Sequence, residues 1–224
     1  MMKGMQMTDD LGPWLFGAGV LIFFGSFVVG MQWNIRKGHR VLRWLQDGLP
    51  LVGEKSTLRW LGSSVVELKI AKAKDPFRNS ETLVVFEPRD VFVLWAYYRS
   101  RGRRDLLIFR SQLRTAPKFE LEAFDPRAWT THDIARNVQK KNWAQLALSA
   151  NAVPPLAYYS GGDAAAARAL IDLASQTGSK LVRLSVHRDV PNLEVHWQLP
   201  DMNTQSARDL FAKLRELAEG AMRG

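Results

Sequence analysis

His187 and His196 are the side chains best placed to do chemistry in this sequence. The chain has four histidines and no cysteine, so nucleophilic catalysis and thiolate–metal ligation have few possible players. Both histidines fall in the last two predicted strands, residues 180–188 and 193–199, and a hairpin turning at Pro191-Asn192 would set them side by side. Arg183, Ser185, Glu194 and Gln198 would share their polar face. Two imidazoles and a carboxylate can bind zinc, which makes His187 and His196 the metal candidates. A solvated sheet face has the same composition, and the expected cofactor is none.

Other motifs point to chemistry less directly. Ser160-Gly161-Gly162-Asp163 precedes an Ala-rich stretch, and backbone amides at such a helix start can cradle a phosphate. Asp163 fits better as an N-cap that takes those amides itself. Ser63-Ser64 lacks the flanking glycines of a nucleophile elbow. Arg99, Arg101, Arg103 and Arg104 form a basic cluster that could hold an anion. Formal net charge is +9, yet no helix-turn-helix, zinc-finger or RNA-recognition signature accompanies it, so nucleic acid is not an expected partner.

The elements that must position these groups start with a segment free of charge. From Leu11 to Ile35 the chain is uncharged and mostly apolar, with Trp14 near one end and Trp33 near the other. At ~1.5 Å per residue this gives roughly 37 Å of helix against a hydrocarbon thickness of about 30 Å. A cleaved signal peptide would have a shorter apolar run and a small-residue site after it, whereas Gln32-Trp33-Asn34-Ile35-Arg36 follows here. A buried core helix rarely runs so far without charge. Lys3 alone precedes the segment as a cation, near Asp9 and Asp10, while Arg36, Lys37, Arg40 and Arg43 follow it. Positive flanks stay in the cytoplasm, so the expected topology is a single pass through the cell membrane, N-terminus outside. Trp14, Trp33 and the four cations would mark the membrane interfaces. Ser26 and Gly30, a small-xxx-small pair, would suit a helix–helix contact.

Residues 36–53 form a basic juxtamembrane segment. On a helix Arg36, Arg40 and Arg43 share one face and Val41, Leu42 and Leu45 the other, as in a helix lying in the bilayer interface. Gly38 could bend the chain there. Beyond it the pattern is α+β, with predicted strands at 57–61, 65–71, 82–87, 105–113, 118–124, 156–160, 180–188 and 193–199. Helices are predicted at 130–141, from Asp163 to near Gly178, and at 204–219 with Gly220 as the stop. Residues 90–100 read as a helix or as a strand, and the strand reading would make the first half a barrel-like β-meander. The expected organisation is a tail and transmembrane helix over 1–35, the juxtamembrane segment over 36–53, and α+β units over 54–148 and 149–224. Each unit can be written strand–helix–strand–strand–helix. Laying 106–126 on 180–200 pairs Leu107 with Leu181, Pro117 with Pro191 and Pro126 with Pro200, but the first strands are out of phase.

Phe86-Glu-Pro-Arg-Asp90, Gly102-Arg-Arg-Asp-Leu-Leu-Ile-Phe109 and Pro117-Lys-Phe-Glu-Leu-Glu122 resemble segments of uncharacterised prokaryotic proteins with one N-terminal membrane helix. The resemblance covers about a third of the chain, implies a helix at 90–100 and carries no activity.

The function these features predict is a membrane-anchored cytoplasmic binding or scaffolding protein, an accessory subunit or adaptor of a membrane assembly. Its partners would be the lipid bilayer and another membrane protein, or a second copy through the transmembrane helix. The alternatives are a module for anionic lipid or another anionic ligand at the membrane surface, and an enzyme with an unrecognised site.

Overall fold

The computed structural model describes residues 11–131, 133–148 and 152–223, so Lys3, Asp9 and Asp10 lie outside the described residues. Helix α1 (Leu11–Gln46) is continuous. Its N-terminal part is long and apolar enough to cross a membrane. From Gly12 to Val29 every residue except the half-buried Ser26 is exposed, and no other described part of the chain covers them. At Gly30 the helix changes character. Gly30, Asn34, Gly38, Val41 and Leu45 are buried along one stripe, at the three- and four-residue spacing of a helix face.

Two expectations are corrected here. The helix runs through Gly38 without a break; that glycine lets the Trp60 ring approach, and a Cβ would sit 2.4 Å from its Cη2. Val41 and Leu45 do not face outward as an interfacial helix requires. They are fully buried in the main core, where each apolar side chain contributes about 1.5–3 kcal/mol.

Beyond α1 the protein is α+β, with a large antiparallel sheet. Strands β1 (Ser56–Trp60), β2 (Val65–Ile70), β3 (Phe77–Val85) and β4 (Leu106–Leu113) form a meander. Next to β4 lie β9 (Leu193–Gln198), β8 (Leu181–Val186), β5 (Glu120–Phe124), β7 (Leu156–Ser160) and the short β6 (Ala144–Gln145), in that order. The meander therefore continues into a wider open sheet and does not close as a barrel. The segment between β3 and β4 is helical, α2 (Phe92–Ser100).

Helices α3 (Ile134–Lys140), α4 (Ala164–Ser175) and α5 (Ala207–Arg223) and a short 3-10 turn at Leu49–Leu51 complete the described elements. The orders β3-α2-β4-β5-α3 and β7-α4-β8-β9-α5 both follow the expected scheme. Their pairing differs, because β8 and β9 form a hairpin while β9 and β8 separate β4 from β5. Strands from the two expected units thus interleave in one sheet. In β8 the register shifts between Leu181 and Arg183. This irregularity leaves Leu181 and Leu184 in the main core while Val182 joins a second apolar cluster and Arg183 a polar network.

One sheet face packs against α4, α5 and the C-terminal half of α1, with Trp197, Phe109, Leu121, Phe211 and Leu214 at its centre. The Trp197 indole donates to the Ala174 carbonyl at 3.0 Å. α5 runs through Gly220 to Arg223 rather than stopping there; at Gly220 a Cβ would fall 2.8 Å from Leu170 Cδ2, so glycine permits close approach of α4. On the opposite face Leu106, Ile108 and Val182 cluster with Ala128.

Candidate functional site

Where α1 meets the sheet, charged and polar groups from four separate stretches converge. Asn34 and Lys37 come from α1, Ser63 and Ser64 from the β1–β2 turn, Glu87, Arg89 and Asp90 from the end of β3, and Asp105 from the start of β4. The approach is closest at Gly30, where a Cβ would lie 1.8 Å from the Arg89 carbonyl oxygen. One turn later the Asn34 amide donates to the Glu87 carbonyl at 3.1 Å, and its own oxygen accepts from Arg89 Nη1 at 3.0 Å.

Arg89 also binds Asp105 through both guanidinium nitrogens and reaches Glu87 at 2.9 Å. Lys37 donates to Asp105 from the helix side. Glu87 further accepts from the Trp95 indole at 2.7 Å and from Arg99 at 3.1 Å. Ser63 donates to Asp90 at 3.0 Å and Asn34 to Ser64 at 3.4 Å. Burial alone would raise the Asp105 carboxyl pKa; the hydrogen bonds and charges of Arg89 and Lys37 more than offset it and hold the group below its ordinary value. A cleft of about 280 Å³ opens beside the junction, lined by Lys37, Arg89, Arg99, Arg104 and Asp105 and by the loop Gln198–Met202.

Next to the junction the arginine cluster lies on aromatic rings. Arg99 stands 5.6 Å over Trp95 and Arg101 5.4 Å over Tyr97. Arg103 stands 5.2 Å over Tyr98 and 4.1 Å over Trp129. Arg104 donates to the Arg99 and Arg103 carbonyls. Of the four, only Arg99 pairs with a carboxylate among the described residues.

The histidines belong to a different network, on the sheet face away from α4 and α5. They are not side by side: His196 pairs across the hairpin with Arg183, and His187 lies beyond the last pair, next to Asn192. Glu122, Arg183 and Glu194 link them. Glu122 accepts from His187 Nε2 at 2.8 Å, Ser185 at 2.8 Å and Arg183 Nη2 at 2.8 Å. Arg183 also donates to Glu194 at 3.0 Å, and His196 Nε2 lies 2.6 Å from the same oxygen.

His187 Nδ1 faces Glu120 at 3.3 Å, so both of its ring nitrogens are directed at carboxylates. The Glu122 hydrogen bond raises its pKa, against the opposing effect of burial. At His196 burial lowers the pKa in spite of Glu194. Burial would raise Glu194, but the His196 hydrogen bond and the Arg183 charge depress it to about 2. These shifts fit a neutral His196 that donates Nε2–H to an ionised Glu194. Arg110 joins at the Glu194 side, 3.4 Å away, and no group of three or more acidic or histidine side chains with metal-holding geometry occurs among the described residues.

Other predicted site residues are placed as follows. Trp14 and Trp33 are exposed, by 78% and 59%, as are Arg36, Arg40 and Arg43. Lys37 is committed to Asp105. Ser26 donates to the Phe23 carbonyl at 2.8 Å, and Gly30 contacts its own sheet domain. Asp163 caps α4, accepting from the Ala165 amide at 3.0 Å. Sequence reasoning missed Asn34, Glu87, Arg89 and Asp105. The available signal was Asn34 itself, an amide near the end of an apolar run with glycine one turn to either side. No family model matches this chain, and no curated protein matches it.

Proposed function

We propose that this chain is a single-pass, membrane-anchored binding or scaffolding protein that serves as an accessory subunit or adaptor in a membrane assembly. The observation that carries this reading is the junction: an exposed apolar helix half continues unbroken into a domain that grips it at Gly30, Asn34 and Lys37. The exposed stretch Gly12–Val29 amounts to roughly 27 Å of helix, close to one hydrocarbon thickness of about 30 Å. The domain would then begin at headgroup level, with Trp14 and Trp33 near the two interfaces and Arg36, Arg40 and Arg43 on the cytoplasmic side.

A helix and domain joined by packing at Gly30, the Asn34 hydrogen bonds and the Lys37–Asp105 ion pair should move as one body. A partner that grips α1 inside the bilayer would hold the sheet domain at a set height and angle, which is what an adaptor needs. Purification from native membranes in mild detergent, with cross-linking through α1, tests this: a partner or a second copy should co-purify, and a lone monomer overturns the reading. Proteolysis of sealed vesicles tests orientation; digestion of the sheet domain from the outer face of intact cells overturns it. Binding of an anionic ligand at the membrane surface is a second reading, favoured by Arg101, Arg103 and Arg104, which have no carboxylate partner among the described residues.

A further inference from the structure

Helix α2 buries none of its residues. Phe92 is 58% exposed, Val93 75%, Leu94 45% and Tyr97 51%. Such a dense apolar surface on a helix marks an interaction site. Its place in the fold identifies the occupant. The turn that leads into α2 is the Arg89–Asp90 backbone, which packs on Gly30, and Gly30 is the first buried residue after the exposed apolar stretch of α1. Ser63 bonds to Asp90, which brings the β1–β2 turn and its 40%-exposed Leu61 to the same level. Trp95 and Arg99 turn inward to Glu87, and Phe92, its ring 5.6 Å from that of Trp95, lies on their side, so Val93, Leu94 and Tyr97 form the outer side. Beyond them Arg101 and Arg103 rest on Tyr97 and Tyr98, a pairing of cation and aromatic ring suited to the headgroup zone of an anionic leaflet.

We propose that α2 is a second membrane contact: it lays Val93, Leu94 and Tyr97 into the boundary between headgroups and acyl chains while Arg101 and Arg103 engage anionic headgroups. The proposal rests on the reading of α1 as a membrane anchor and extends it. With α1 crossing the bilayer and α2 lying on it, the sheet domain meets the membrane at two points, so its tilt against the bilayer plane is restrained. A single helix would leave that tilt free.

The absence of cysteine makes the test direct. Phe23→Cys, Val93→Cys and Asp189→Cys are labelled one at a time with a polarity-sensitive fluorophore. Each full-length chain is reconstituted in vesicles of neutral phosphatidylcholine, or of phosphatidylcholine with phosphatidylserine, carrying a nitroxide quencher at shallow acyl depth. The label at 93 should be blue-shifted and quenched, more strongly with phosphatidylserine, and the label at 189 should be neither. Arg101→Gln and Arg103→Gln should weaken the contact at 93 in anionic vesicles by about fivefold per arginine removed; unchanged quenching overturns the role of the arginines. A label at 93 that behaves like the one at 189 while 23 is quenched overturns the proposal and leaves the anchor intact. An unquenched label at 23 overturns the anchor. Cross-linking of position 93 to a protein in native membranes, without quenching in vesicles, assigns the face to a protein partner and also overturns the proposal.

Discussion

Arg89 holds Asp105 through two hydrogen bonds of 3.0 Å, one to each carboxylate oxygen. This fork ties the end of β3 to the start of β4 at the point where α1 lands, and Lys37 completes it from the helix. Removing one partner of such a buried pair strands the other, and costs about 3–5 kcal/mol. Arg89→Ala should therefore lower the unfolding free energy of the detergent-solubilised chain by that order. Arg89→Lys, which keeps the charge but loses the fork, should fall between. Urea unfolding of the two variants and the parent checks the order; an Arg89→Ala chain as stable as the parent removes the junction from the list of what holds the helix.

Gly30 gives a prediction of sign. By helix propensity alone, Gly→Ala in a helix interior gains about 1 kcal/mol. At Gly30 the new methyl would meet the Arg89 carbonyl oxygen at 1.8 Å, and this atom is backbone that cannot swing aside. Gly30→Ala should destabilise the junction and raise its sensitivity to protease. Gly17→Ala, at a glycine with no atom within 4 Å of the added Cβ, should not. Limited proteolysis of both variants side by side reads the difference.

The packing of α1 predicts where the chain can be cut. Val41, Leu45 and Gly48 are buried against the sheet and α5, and Trp44 donates to the Gln205 carbonyl at 2.7 Å. A chain that starts at residue 29 keeps this packing and loses only exposed apolar surface, so it should fold and stay in solution without detergent. A chain that starts at residue 54 loses three core side chains, Val41, Leu45 and Val52, at about 2–5 kcal/mol for a truncation such as Leu→Ala, and should melt far lower or fail to fold. Circular dichroism melts and gel filtration of the two chains decide it.

This cut also separates what the sequence made legible from what it did not. Helix and strand periodicity located most elements, and the alternation in β8 and β9 placed Arg183, Ser185, Glu194, His187 and His196 on one face. Register is a matter of which strand pairs with which, and the hairpin set His196 opposite Arg183 rather than beside His187. The junction was illegible for a related reason. Asn34, Ser63, Glu87 and Asp105 are far apart in the chain, and each reads as an ordinary solvent-facing polar residue until β3, β4 and α1 are brought together. Likewise, an amphipathic stripe at Val41 and Leu45 has the same spacing whether its apolar side meets lipid or a protein core.

The polar network predicts a stability profile with two opposing histidines. His187 has its pKa raised above the ordinary 6.5, through its hydrogen bond to Glu122 and against burial, with Glu120 adding to the rise and Lys141 opposing it. The folded state therefore holds that proton more tightly than the unfolded chain. The stability it contributes is complete below 6.5 and is lost as pH rises through the raised value. Glu194 works on the acid side. Its depression from 4.5 to about 2 corresponds to a contribution on the order of 3 kcal/mol, present above 4.5 and lost as pH falls toward 2. His196 is lowered by burial, so the unfolded chain takes up that proton first and stability declines as pH drops below 6.5. Denaturation midpoints across pH should thus fall on both sides of a maximum near neutrality. His187→Gln should flatten the alkaline limb and leave the acid limb standing, whereas Glu194→Gln should leave the alkaline limb and remove only the part of the acid limb between 4.5 and 2, the decline below 6.5 that belongs to His196 remaining. An alkaline limb that survives His187→Gln unchanged would show that the proton lost there belongs to another group.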